Sequence, residues 1–123
     1  MNITEALILL QDGYTIYHGK PNYIYQLLDK KLYMYYKEDD NKHFSLLFID
    51  NNSLIINFEK MLNDWHKYVY CIPISFQDAM KFYYKGALIK RMDNDKLYNI
   101  GFYKNTTFSI EDLEANDWII VSI

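Results

Sequence analysis

A single cysteine, Cys71, leaves this chain without an internal disulfide. That excludes a disulfide-framework fold and fits a reducing compartment. With only four glycines and two prolines, collagen-like and low-complexity architectures fail as well. No apolar run approaches the ~18 residues a membrane span needs. No basic lead-in precedes the apolar stretch from Ala6 to Leu10, so no secretion signal is expected. Positive charge is short too. Thirteen Lys and Arg face sixteen Asp and Glu, for a net charge of −3. A strongly electrostatic partner of duplex nucleic acid should be basic, so direct duplex binding is not expected, yet −3 is too small for a DNA-mimicking polyanion. There is no P-loop, no Gly-x-Ser-x-Gly and no dinucleotide fingerprint. His18, His43, His66 and Cys71 show no zinc spacing. The carboxylates Asp39, Asp40, Glu111, Asp112 and Glu114 fall in turns or on one helix face and read as solvated surface. No catalytic constellation, metal or cofactor is expected, and the chain does not read as an enzyme.

What the chain does have is globular composition, half hydrophobic and 24% charged. At 123 residues it is one ordinary domain or two very small ones, able to bury roughly two thirds of its unfolded surface. It also repeats itself. Residues 2–13 lie over residues 75–86 at a constant offset of 73. In each copy a small polar residue, Asn2 or Ser75, stands three positions before an acid, Glu5 or Asp78. That is the pattern of a helix N-cap and its capping-box partner, Asp being the weaker partner. Ile3, Ala6, Leu7 and Leu10, and then Phe76, Ala79, Met80 and Tyr83, follow at helical spacing. Gly13 and Gly86 suit left-handed caps, and strand-like residues 14–18 and 87–91 come next.

The copies also end alike. Asn63-Asp64-Trp65 and Asn116-Asp117-Trp118 open β-rich runs at an offset of 53, so the second copy is shorter by 20 residues in its middle. The first copy holds two hairpin candidates there, 23–28 with 32–36 around the turn 29–31, and 44–49 with 54–58 around the turn 50–53. The second keeps only 97–103. Short helical patches precede each Trp at 58–62 and 110–115, the latter capped by Ser109 with Asp112 three residues on. These patterns predict an α+β fold of two tandem units, 1–72 and 73–123, each a helix plus antiparallel sheet. The short apolar junction 71–74 predicts that they pack together.

The opening helix, the Gly and strand after it, and the closing acidic-Leu-x-Ala-x-Asp-Trp segment resemble the Thoeris anti-defence 2-like family. The best match is residues 76–91 with 108–121. Residues 3–18 and Asn63-Asp64-Trp65 match more loosely, so the resemblance covers nearly the whole chain as two diverged copies. The family is commonly phage-encoded and includes a member described as an anti-CRISPR. The abundance of Lys, Asn, Ile and Tyr, pointing to an AT-rich coding genome, is compatible with a low-GC bacterium or its phages. The resemblance implies a sponge in the cytoplasm of the infected bacterial host, one that binds a cyclic ADP-ribose isomer made as an immune signal and holds it uncleaved. The family forms its pocket often between subunits, which implies a homo-oligomer, or here a pocket built within one duplicated chain. A Gly-Trp-Asn-Gly-Lys-like stretch of the family helps form that pocket. It corresponds here to residues 19–23, where Pro21 takes the tryptophan position and Asn22 is retained, and to 92–96, again without tryptophan.

The ligand-binding candidates are accordingly Tyr17, His18, Lys20, Asn22 and Tyr23 in the first copy and Lys90, Arg91 and Asn94 in the second. His18 and Arg91, the latter the one arginine of the chain, end the two first strands. Cations there suit a pyrophosphate, or a solvated strand end or surface ion pair. Trp65 and Trp118 read as core anchors, and Asp64 and Asp117 as makers of local turn bonds. Tyr25, Tyr33, Tyr35 and Tyr36 have, with Tyr23, mostly alternating strand spacing, Tyr23 and Tyr25 sharing one face and Tyr33 and Tyr35 another. They suit cross-strand aromatic packing or an exposed patch for a protein partner. The second function class is therefore an inhibitor that binds a host defence protein, such as a type II CRISPR nuclease, directly.

Overall fold

The computed structural model describes residues 1–28, 30–40, 42–48, 61–101 and 107–122. The second hairpin expected around 50–53, most of the helical patch at 58–62 and the end of the strand at 97–103 lie outside the described residues.

The fold is α+β with antiparallel sheets. The chain divides into two compact units, one of Met1–Lys37 with Leu46–Tyr70 and one of Glu38–Ser45 with Cys71–Ile123. The junction expected after residue 72 thus lies at Tyr70 and Cys71, and the segment Glu38–Ser45 groups with the second unit. Its anchor is backbone pairing. The Phe44 N–H donates to the Pro73 carbonyl at 2.7 Å, and Phe44 bridges Ile74 in parallel.

In unit 1, helix α1 (Ile3–Gln11) begins at Asn2, whose side chain accepts from the Glu5 N–H while Glu5 reaches back to the Asn2 N–H. This capping box satisfies two donors that a helix start leaves orphaned. Strands β1 (Thr15–His18), β2 (Tyr23–Leu28), β3 (Lys31–Lys37), β4 (Phe44–Phe48) and β5 (Trp65–Tyr68) form one sheet in the order β4-β3-β2-β1-β5. Ala6 and Leu10 of α1 pack with Ile16, Tyr25, Leu32 and Trp65 as its core.

In unit 2, helix α2 (Phe76–Tyr83) is capped by Ser75, which accepts from the Asp78 N–H. The Asp78 carboxylate also takes the Lys81 ammonium at 3.2 Å. Strand β6 (Leu88–Arg91) pairs with β7 (Trp118–Ser122). Between them in sequence stands the short helix α3 (Ile110–Glu114), whose Ser109 and Asp112 form the second complete capping box. The core here is aromatic. Phe108 stacks on Tyr98 at 4.8 Å and meets Phe76, Tyr83 and Trp118 edge-on.

The same bonds recur in both units at the offsets of 73 and 53. Gly19 donates to the Asp64 carbonyl and Met92 to that of Asp117, both at 2.9 Å. Trp65 donates to Met1 and Trp118 to Ile74, both at 3.0 Å. Ile3 donates to Leu62 at 2.8 Å and Phe76 to Ala115 at 3.1 Å. His18 faces Trp65 across the ladder as Arg91 faces Trp118, and Ile16 faces Tyr25 as Ile89 faces Tyr98. Tyr25 and Tyr98 each set their ring against the tryptophan of their own unit, at 5.7 and 5.3 Å. The offset of 73 therefore persists to Tyr98, and the shortening of the second copy falls beyond it.

Gly13 and Gly86 end the helices with φ of 95° and 94°. A Cβ at either would meet nothing within 4 Å, so the requirement is the left-handed backbone and not space. Gly13→Ala and Gly86→Ala are each expected to lower stability by about 1–2 kcal/mol, read as a lower urea midpoint with an unchanged slope.

Candidate functional site

The candidate residues of unit 1 gather where β1 ends. Tyr17 faces His66 across the β1–β5 ladder, and the two rings stack at 5.1 Å and 21°. His18, next along β1, turns its ring edge-on to the buried Trp65. Chain reversal after β1 uses Gly19 at φ 67°, followed by a tight turn in which the Asn22 N–H donates to the Lys20 carbonyl at 2.8 Å. Lys20 and Asn22 are exposed, and Tyr23 starts β2 with its ring against that of Tyr36.

Two residues of this corner were given no ligand role by sequence reasoning, Asp64 and His66. Asp64 holds φ 68° and accepts a 2.8 Å hydrogen bond from His66 Nε2 at Oδ1. That bond holds the Asp64 carboxyl below its ordinary value, with lesser help from the charges of His66, His18 and the chain amine. Among the described residues Asp64 Oδ2 takes no hydrogen bond. Both side chains remain open to solvent, His66 at 43% and Asp64 at 63%. The signal that could have found them is the repeat itself, because the Asn-Asp-Trp segment pairs with the end of the first strand in each copy.

The equivalent corner of unit 2 is built differently. Lys90 and Arg91 end β6, and Asn94 sits in the turn after it, accepting from the Lys96 N–H at 2.9 Å. Arg91 is not a free cation. Its Nε and Nη2 donate to the two oxygens of Asp117 at 2.9 and 3.4 Å, and its Nη1 to Asp112 at 3.5 Å. The fork-on-carboxylate geometry raises the arginine further above its ordinary value. Of the two readings of Arg91, a pyrophosphate cation and a surface ion pair, the structure shows the ion pair, since its guanidinium already serves two carboxylates. The reading of Asp117 is corrected, because its carboxylate makes a bond across 26 residues and not a local one.

Asp112 is the centre of this cluster. Burial pushes its carboxyl up, but the N–H and hydroxyl of Ser109 and the charge of Arg91 outweigh burial and hold it low. The Tyr98 hydroxyl donates to it at 3.4 Å, and its backbone carbonyl accepts from Trp118 Nε1 at 2.9 Å.

The tyrosines split. Tyr25, Tyr33 and Tyr35 are buried, so they are withdrawn from a partner surface. Tyr33 and Tyr35 lie on the sheet face opposite Tyr25 and are covered there too, and the Tyr35 hydroxyl donates to Gln26 at 2.9 Å. Tyr36 is partly exposed, and Tyr23 is exposed. Sequence reasoning passed over Tyr70 and Val69, which are among the most exposed apolar side chains of unit 1, at 74% and 70%.

Among the described residues no group of three or more His, Cys, Asp or Glu could hold a metal ion, and no helix is long and apolar enough to cross a membrane. A shallow depression of about 320 Å³ on α1 is lined by Met1, Glu5, Ile8 and Leu9. No protein-family model matches the chain, and no match is found among the curated proteins or the solved structures.

Proposed function

We propose that this chain is a phage anti-defence protein that works by binding alone. It would hold a nucleotide-derived immune signal, such as a cyclic ADP-ribose isomer, in the cytoplasm of the infected bacterium and leave it uncleaved. The observation that carries this reading is the β1 corner of unit 1. There an aromatic-imidazole stack, Tyr17 on His66, stands beside the carboxylate of Asp64 and within the strand end and turn that bring His18, Lys20 and Asn22. Rings offer a nucleobase a face to stack on, worth about 1–3 kcal/mol per base. The Lys20 ammonium near the turn offers a cation, and the His18 imidazole a hydrogen-bonding edge, to phosphates. The resemblance of both copies to the Thoeris anti-defence 2-like family supports the same reading.

The test is calorimetric titration of the purified chain with cyclic ADP-ribose isomers and common cyclic dinucleotides, followed by mass spectrometry of the recovered ligand. Binding with intact ligand is the expected result. Turnover of the ligand, or no binding across the whole set, would defeat the proposal.

A second reading, a direct inhibitor of a host defence protein, is favoured by one observation, the exposure of Val69 and Tyr70 with Tyr23. Exposed aromatics of this kind are enriched at protein interfaces. Co-elution with a purified type II CRISPR nuclease, lost in Tyr23→Ala plus Tyr70→Ala, would establish it. Substituting Tyr33 and Tyr35 would test the fold instead, because both are buried.

A further inference from the structure

The two units place different chemistry at equivalent positions. Tyr17, His18, Asp64 and His66 of unit 1 correspond, by the shared hydrogen bonds and ladder pairs, to Lys90, Arg91, Asp117 and Ile119 of unit 2. In unit 2 the arginine closes the corner, for Asp117 and Asp112 are both occupied by its guanidinium. Among the described residues no such cation bonds Asp64, whose carboxylate accepts from the His66 imidazole through one oxygen while Oδ2 takes no hydrogen bond. The cross-strand pair beside it, Lys90 and Ile119 in unit 2, is two stacked rings in unit 1. One face of the imidazole is covered by Tyr17, yet the side chain keeps 43% of its exposure.

We propose that recognition is confined to unit 1, and that its corner takes a planar heteroaromatic ring bearing an exocyclic amine. The ring lies on the exposed face of the His66–Tyr17 stack, and the amine donates to Asp64 Oδ2. This deepens the nucleotide-binding reading and rests on it. An ionised carboxylate can only accept hydrogen bonds. A ring that presents a carbonyl oxygen at the same place offers no donor and sets one acceptor against another. Asp64 is held in its ionised form by the His66 bond, so the preference for a donor holds through neutral pH. In unit 2 the equivalent carboxylate, Asp117, is occupied by Arg91, and the pair at the position of the stack is Lys90 and Ile119.

The experiment uses the full chain and two probes that differ at one exocyclic group, AMP with an amine and IMP with a carbonyl. Binding is followed by backbone amide shifts in wild type, Asp64→Asn and His66→Ala. Asparagine tolerates the left-handed backbone that Asp64 holds, and both sites are solvent-open, so neither variant threatens the fold. Wild type should bind AMP about tenfold more tightly than IMP, the low end for a hydrogen bond to a charged group. One equivalent should bind, with the shifts at Gly19 and His66 and none at Arg91 or Met92. Asp64→Asn should bring the two probes within about twofold of each other, and His66→Ala should weaken both by about fivefold or more. Equal affinity in wild type, a preference that survives Asp64→Asn, or shifts at the β6–β7 corner would overturn this inference while leaving nucleotide binding in place. No binding of either probe, together with none of the cyclic nucleotides, would overturn both.

Discussion

Trp118→Ala is expected to cost about 3–5 kcal/mol of folding stability, the usual range for removing a large aromatic from a packed core. For a chain of this size that is a large part of the total, which is typically about 5–15 kcal/mol. The indole is fully buried. It contacts the rings of Phe76, Tyr98 and Phe108 within 6 Å, and its backbone exchanges both hydrogen bonds with Ile74. Truncation removes the ring on which the aromatic core of unit 2 converges. It also leaves the Asp112 carbonyl without its indole donor. Trp118→Phe separates these effects. It keeps much of the apolar volume and loses the N–H, leaving the Asp112 carbonyl the longer bond from the Ala115 N–H at 3.4 Å, so a loss of about 1 kcal/mol is expected, the net contribution of one hydrogen bond. Urea unfolding followed by far-ultraviolet circular dichroism reads both. A Trp118→Ala midpoint within error of wild type would show that the tryptophan is not the anchor of its unit.

The parts of this fold that were legible in the sequence are those decided by neighbours along the chain. A cap needs a small polar residue and an acid three positions on, and Asn2 with Glu5 and Ser109 with Asp112 form the complete boxes. A left-handed stop needs a glycine, and Gly13 and Gly86 provide it. Alternation assigned Tyr33 and Tyr35 to one face and Tyr25 to the other, as the β2–β3 register has it. Alternation does not say which face is covered, and here both are, which withdraws three tyrosines from the surface. Bonds between distant residues were not legible. Phe44 reaches Pro73 and Ile74 by backbone groups that carry no residue signature, so Glu38–Ser45 could not be assigned to the second unit beforehand. The equivalence of His18 and Arg91 was visible and left two readings open, cations for one ligand or a strand-end ion pair. Arg91 makes the ion pair, with two carboxylates of its own unit that spacing alone did not name. Asp64 and His66 escaped for another reason, since a residue read as a local turn-maker invites no search for what stacks beside it.

Asp112→Ala is expected to cost about 3 kcal/mol or more, the range for breaking a largely buried ion pair from one side. Three groups depend on this carboxylate. The Ser109 N–H donates to it at 3.0 Å, Arg91 Nη1 at 3.5 Å and the Tyr98 hydroxyl at 3.4 Å. The cap accounts for about 1 kcal/mol of the loss. The remainder comes from leaving Tyr98 and one arm of Arg91 unsatisfied. Acid should show the same dependence in the wild-type chain. The folded Asp112 carboxyl is held below its ordinary value of 3.8. The folded state therefore binds a proton less readily than the unfolded one, and the stabilisation is complete above about pH 4. It is lost as pH falls through the depressed folded value. Arg91 acts in the opposite sense. Its raised value keeps its contribution complete throughout the acid and neutral range, so it adds no slope in acid. Asp64 and Asp40 are also held low, by His66 and by the Lys42 N–H respectively. Both are solvent-exposed, where such pairs contribute little. Stability measured by urea unfolding from pH 6 down to pH 2 should thus fall less steeply in Asp112→Asn than in wild type, while Asp64→Asn should follow the wild-type curve closely. Were the Asp112→Asn curve parallel to wild type throughout, the buried carboxylate could not be the group whose protonation loosens unit 2.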